Sequence, residues 1–432
     1  MRHWIITNRT VEPPADAPHT TGHHIKEPNR QRDRVGGLPV FRVATFEDAR
    51  LPLDPSDKQL MSAVRFVPDA FVGEYSDLRT LCANPTHAHA PDLSGLPGSL
   101  RMFGDLYRAM SNAPEGKGDA LVFLHGFNYG WCDSLRHLLS LSRVYAEPDA
   151  SPISHIVYFS WPSWGKKTRY MSDQEIAQPA GLNFGRLFAK MVQFYRDAFT
   201  PQPGNQLGNG AGDGEGIAAP SEPLTFCGRR LHLGAHSMGN QVLESFVQAI
   251  NSVPSLRVPI FSQALLLNAD QDWTALEPGR PLHELPNFAD RIHVYNHRDD
   301  DALLISEATK NNERRLGRHG PRTMADNVIA DRTVVVDCSK LNLARRSRAK
   351  REKAMNEASR VATTAASRRF QDAAERVLAG SDHTKERLFD HWGYLHRPEV
   401  VADLYHVLHT VSASEIPGRD RKDTRRYALT TR

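Results

Sequence analysis

Cysteine is scarce. The 432 residues hold four, Cys82, Cys132, Cys227 and Cys338, far apart and with no C-x-x-C pair. That excludes a stapled small scaffold and leaves no zinc-site spacing, so they read as reduced thiols in a cytoplasmic protein. Long apolar runs are also missing. No window approaches the roughly 18 consecutive apolar residues of a membrane span, and mean hydropathy is −0.49. The start, Met1-Arg-His-Trp-Ile-Ile-Thr-Asn-Arg9, has only a brief apolar patch, where a secretory leader needs about seven to fifteen residues. Charge of one sign is not in excess. The 54 basic and 50 acidic side chains leave +4, far from an obligate nucleic-acid binder.

What is present is enough apolar residue, 40%, for a sizeable core in one large α/β domain with insertions. Residues 1–118 read as an irregular extension with strand-like pieces at 4–7, 40–45 and 63–67, packing on or contributing to the main domain. Polar, Pro-containing 10–37 reads as a mobile or surface-wrapped extension, and His87 and His89 as a surface loop, since no further metal ligands can be placed with them. From 119 to 412 the texture changes. Short apolar runs at 120–124, 156–159, 231–235, 264–267, 292–295 and 333–336 alternate with amphipathic helical patterns and loops. One pattern follows Trp131, one spans about 182–199 after a polar loop, one carries Val242, Leu243, Phe246, Val247 and Ile250, and one runs from Pro398 to Leu408. Such alternation predicts a doubly wound, mostly parallel sheet covered on both faces. The Gly-rich stretch 203–220 reads as a flexible insertion, 342–385 as a basic helical insertion, and 413–432 as a basic tail.

The most informative segment is Leu231-His-Leu-Gly-Ala-His-Ser237-Met-Gly239-Asn240. A serine on a tight strand-to-helix turn needs small neighbours two residues to either side, and Ala235 and Gly239 fill those places. An apolar strand ends at the motif and an amphipathic helix begins within it. A serine hydroxyl needs a base, usually a histidine held by a carboxylate, and in α/β-hydrolases the chain order is Ser, acid, His. Candidate acids are Asp299, Asp300 and Asp301 after the 292–295 strand, with Asp270 and Asp272 as a second option. The three adjacent carboxylates are also a conceivable divalent-ion site, though no second ligand cluster lies nearby. His391 lies past the last strand and before the final helix, where the base belongs, with His396 as its rival. Two backbone N–H groups are needed for an oxyanion hole, and the turn Leu124-His-Gly-Phe-Asn128 offers that of Phe127 beside that of Met238.

At these residues the chain resembles a group of bacterial α/β-hydrolase-fold proteins of unknown function. The blocks are Phe123-Leu-His-Gly-Phe-Asn128, Phe159-Ser-Trp-Pro-Ser163 with Tyr170 and Asp173, Ala235-His-Ser-Met-Gly-Asn240, Asn268-Ala-Asp270, Tyr295 to Leu303, and His391-Trp-Gly-Tyr394. They occur in order over 119–410, leaving out 342–385. The resemblance implies an α/β-hydrolase fold with Ser237 as nucleophile, His391 as base and Asp300 as acid. The group's Ala-Pro-Asp block stands here as Asn268-Ala-Asp270, a departure where Asp270 sits.

The expected activity is therefore a cofactor-free serine hydrolase acting on a small-molecule or lipid-like acyl ester or thioester. The other readings are an acyltransferase with the same triad and a catalytically silent interaction module. The run from Arg345 to Lys353 is a candidate surface for an anionic partner, against the plainer reading of a solvated helix.

Overall fold

The computed structural model describes residues 1–9, 11–12, 24–25, 34–35, 38–39, 41–67, 98–163, 170–199, 227–309, 313–341 and 391–430. Among these, strands β1 (Arg2–Thr7), β2 (Arg42–Glu47), β3 (Val64–Phe66), β4 (Asp119–Leu124), β5 (Ile153–Ser160), β6 (Leu231–His236), β7 (Phe261–Leu267), β8 (Ala289–Asn296), β9 (Thr333–Asp337), β10 (Arg419–Arg421) and β11 (Arg426–Leu429) form one 11-stranded sheet. Its order is β10-β11-β9-β8-β7-β6-β4-β5-β1-β2-β3. Every pair from β11 across to β1 is parallel. Antiparallel pairing is confined to the two edges.

The central strands β4, β6 and β7 are buried at every position because both faces are covered. Side chains alternate sides along a strand, so Val122 and Leu124 enter one core with Ile6 and Phe159, while Leu121 and Phe123 enter the other with Ile5 and Tyr158. Helices α2 (Gly98–Ser111), α4 (Tyr170–Phe199) and α5 (Gly239–Asn251) close the first core through Met102, Phe184 and Phe246. Helices α1 (Asp57–Ser62), α3 (Trp131–Leu141) and α7 (Pro398–Leu408) close the second through Leu60, Leu135 and Leu404. A short α6 (Asp301–Thr309) follows β8. This is the α/β-hydrolase fold.

Four local expectations differ from the structure. Helix α4 begins at Tyr170, within the stretch read as a loop, and runs through Pro179. Tertiary packing overrides the proline cost. Ile176, Ala177, Ala180 and Phe184 are buried, and Gly181 sits so close to α5 that a Cβ there would lie 2.3 Å from the Val242 carbonyl oxygen. Helix α2 lies in the region read as irregular, with Met102, Phe103, Leu106 and Met110 buried. Helix α6 begins at Asp301, between the 292–295 and 333–336 runs, where the sequence marks no helical pattern. The segment 413–432 is not simply a basic tail, since it supplies β10 and β11. There Arg419 is buried against Asp403 in a two-pronged ion pair of 2.6 and 2.7 Å, and Tyr295 Oη donates to Asp403 at 2.5 Å. The insertions 203–220 and 342–385, His87 and His89, and most of 10–37 lie outside the described residues. Among the described residues no helix is long and apolar enough to cross a membrane.

Candidate active site

At the end of β6 the chain reverses direction through Ser237, whose φ is +52°. That left-handed conformation costs an L-residue on the order of 1 kcal/mol or more, so the surroundings must hold it. The Ser237 N–H donates to the Leu267 carbonyl at 3.0 Å, and the Ser237 carbonyl accepts from Asp270 N–H at 3.1 Å. Asn240 Nδ2 donates to the carbonyls of Ala235 at 2.9 Å and Ser237 at 3.1 Å. Crowding explains the small neighbours. A Cβ on Gly239 would lie 2.4 Å from the Leu124 carbonyl oxygen, and one on Gly126 would lie 3.0 Å from Ser237 Cβ.

Of the carboxylates considered, Asp300 is the one that meets His391. His391 Nδ1 donates to Asp300 Oδ2 at 2.7 Å. Asn268 Nδ2 donates to the same oxygen at 2.8 Å, and Leu303 N–H to Oδ1 at 3.0 Å. Burial alone would raise the Asp300 pKa, but the His391 charge and these three donors outweigh it and hold the carboxyl below its usual range. Asp299 is half-buried, with its N–H on His297, and Asp301 opens α6. Asp272 accepts from Thr274 in a tight local turn. His396 is exposed, and its helical turn follows the His391 segment. No group of His, Cys, Asp and Glu side chains suited to a metal ion is found among the described residues.

Asp270, the second option for the acid, is built into a different network. It accepts from Tyr170 Oη and Ser306 Oγ, each at 2.5 Å, and from Gln241 Nε2 at 3.2 Å, with Arg315 Nε 3.8 Å away. The Tyr170 ring in turn packs edge-on against Phe127 at 5.3 Å.

His391 is tied to the residue before Ser237, His236, which the sequence does not mark as part of the site. His236 Nε2 donates to the His391 carbonyl at 2.9 Å, and the two rings lie 4.6 Å apart. Burial, reinforced by the His391 charge, pushes the His236 pKa well below its ordinary value, so its ring is neutral. Among the described residues no hydrogen bond joins Ser237 to His391.

The turn after β4 lies against the elbow. His125 Nδ1 donates to the Gly126 carbonyl at 2.7 Å, and the His125 ring stacks on Trp161 at 5.0 Å. A peptide's C=O and N–H point in opposite directions, so this bond also orients the Phe127 N–H. Among the described residues neither the Phe127 nor the Met238 N–H donates to another residue. Asn128 takes φ +65°, and its N–H meets Asp173 at 3.4 Å. Tyr170 and Asp173, which the sequence marks only as parts of a block, thus hold this turn. Asn268 was legible only as the departure beside Asp270.

Searches of curated proteins and of solved structures return no match. A family model does match, over residues 108–193 and 226–368, together more than half of the chain. It takes in Ser237 and Asp300 and ends before His391, which the block-by-block resemblance includes. It also reaches into 342–385, which that resemblance leaves out. Its description is an alpha/beta hydrolase of unknown function (DUF900), and this chain belongs to that family.

Proposed function

We propose that the protein is a serine hydrolase that cleaves a carboxylic ester or thioester through an acyl-enzyme on Ser237. The observation that carries this reading is the 2.7 Å His391–Asp300 hydrogen bond beside a serine held at φ +52°. In the first half-reaction His391 Nε2 takes the Ser237 proton as Oγ attacks the acyl carbon. Asp300 keeps the proton on Nδ1 and stabilises the imidazolium. The carbonyl oxygen becomes an oxyanion facing the Phe127 and Met238 N–H groups. His391 then protonates the leaving alcohol or thiol. In the second half-reaction water attacks the acyl-enzyme with His391 again as base, releasing the acid and Ser237.

Labelling by a fluorophosphonate, together with a panel of esters and thioesters, tests this. The expected result is labelling and turnover in wild type, and neither in Ser237→Ala. Turnover that survives Ser237→Ala would sink the proposal.

A further inference from the structure

The parallel pairing of β1 with β5, Trp4 beside Val157 through Thr7 beside Ser160, brings the carboxyl end of β1 to the edge of the sheet that holds the elbow. Two residues beyond β1 stands Arg9, 1% exposed. Its Nη2 donates to the Tyr129 carbonyl at 2.8 Å, Nη1 to the Ser163 carbonyl at 3.3 Å and Nε to Ser160 Oγ at 3.2 Å. Thr7 Oγ1 accepts from the Arg9 N–H at 3.1 Å and donates to the Ser160 carbonyl at 2.7 Å, tying the Arg9 backbone to β5.

The partners of Arg9 are the parts that hold the turn after β4. Ser163 Oγ accepts from Tyr129 N–H at 3.2 Å and donates to Asp173 Oδ2 at 2.5 Å. The N–H and C=O of Tyr129 are therefore pinned on opposite sides, by Ser163 and by Arg9. On the near side the Gly126 carbonyl is pinned by His125. Burial, reinforced by the Arg9 charge, holds His125 neutral, and the Gly126 acceptor requires its proton on Nδ1.

We propose that Arg9 is a positioning residue for the oxyanion turn, so that the N-terminal strand, outside the family match, is part of the working site. The guanidinium suits the task because its planar fork holds two carbonyls and a hydroxyl at fixed directions. The inference rests on the serine-hydrolase reading for its catalytic consequence, but the clamp itself can be read without turnover.

The experiment compares wild type, Arg9→Met, Arg9→Lys and Arg2→Gln in the full chain. Arg2, at the start of β1, forms an exposed pair with Glu47 of β2 and serves as control. Displacing a donor by a fraction of an ångström is expected to lower kcat of Arg9→Met by roughly 10–10²-fold with KM within about threefold. Affinity for a trifluoromethyl ketone, which forms the oxyanion, should fall with kcat/KM. Amide exchange in a peptide covering 126–130 should accelerate in Arg9→Met, partly recover in Arg9→Lys and match wild type in Arg2→Gln. Unchanged exchange of 126–130 in both Arg9 variants, or unchanged kcat with only a lower Tm, overturns the proposal. If Arg9→Met fails to fold, Arg9→Lys alone decides by the same readouts. Wild type that neither turns over an ester nor labels, with faster exchange in Arg9→Met, sinks the serine-hydrolase reading and supports the clamp.

Discussion

Asp300 and His391 are 91 residues apart in the chain and 2.7 Å apart in the fold. The carboxylate is fully buried and receives a second donor, Asn268, on the same oxygen. Asp300→Asn keeps the volume but loses the charge and favours the wrong imidazole tautomer. Its kcat should fall by about 10²–10⁴. Asp299→Asn and Asp301→Asn should stay within a few-fold of wild type in the same assay. An equal loss in either would move the acid away from Asp300.

Asn268→Ala removes one of the donors that keep Asp300 ionised. A hydrogen bond to a charged group contributes about 1.5–3 kcal/mol, so kcat should fall by roughly 10-fold or more, yet less than in Asp300→Asn. Steady-state kinetics of the two variants side by side check the order.

Glycine substitutions separate the elbow from the oxyanion turn. In Gly239→Ala the new methyl meets backbone oxygen at 2.4 Å, which cannot yield as a flexible side chain would. The expected cost is about 1–3 kcal/mol or more, read as a lowered urea midpoint. In Gly126→Ala the contact is 3.0 Å to Ser237 Cβ, so activity should drop further than stability. A Gly126→Ala enzyme with wild-type kcat would contradict the close approach.

The buried histidines predict a pH dependence of stability. Burial pulls the His137 pKa from 6.5 down to about 3, and its two nitrogens bond the Tyr158 and Tyr394 hydroxyls. The unfolded chain binds this proton near pH 6.5 and the folded one does not until near pH 3. Stability is therefore fully present above pH 6.5 and declines as pH falls through that window, by about 1.4 kcal/mol per pH unit for this group. Calorimetry at pH 5 should find proton uptake on unfolding reduced by about one in His137→Gln. Unaltered uptake would show that His137 is already charged when folded.

The C-terminal strands are predicted to be integral. Asp403→Asn leaves the buried Arg419 guanidinium without its counter-charge, a change of about 3–5 kcal/mol. Ending the chain after residue 412 removes β10 and β11 and bares the β9 edge. Loss of a cooperative thermal transition in the truncated chain is the expected result, and an unshifted Tm would refute the assignment.

The sequence by itself determined the parallel sheet and the elbow. Strands buried on both faces must be apolar at every position, a local property visible at 120–124 and 264–267. The crowding around Ser237 likewise falls on residues two places away, so Ala235 and Gly239 announce it. Residue chemistry left Asp299, Asp300 and Asp301 alike and only the resemblance singled out Asp300; the tertiary structure shows that it is the one that meets His391. There the start of α6 at Asp301 and the donor from Leu303 decide which carboxylate is buried beneath His391. Helix α4 extends through Pro179 because packing on α5 outweighs a local penalty. The charged pattern of 419–429 hides strands whose arginines find partners on α7 and in the loop before β9. Arg9 is invisible in the same way. Its partners lie 120 to 154 residues away, and no local pattern marks a guanidinium whose role is set by where parallel strands end.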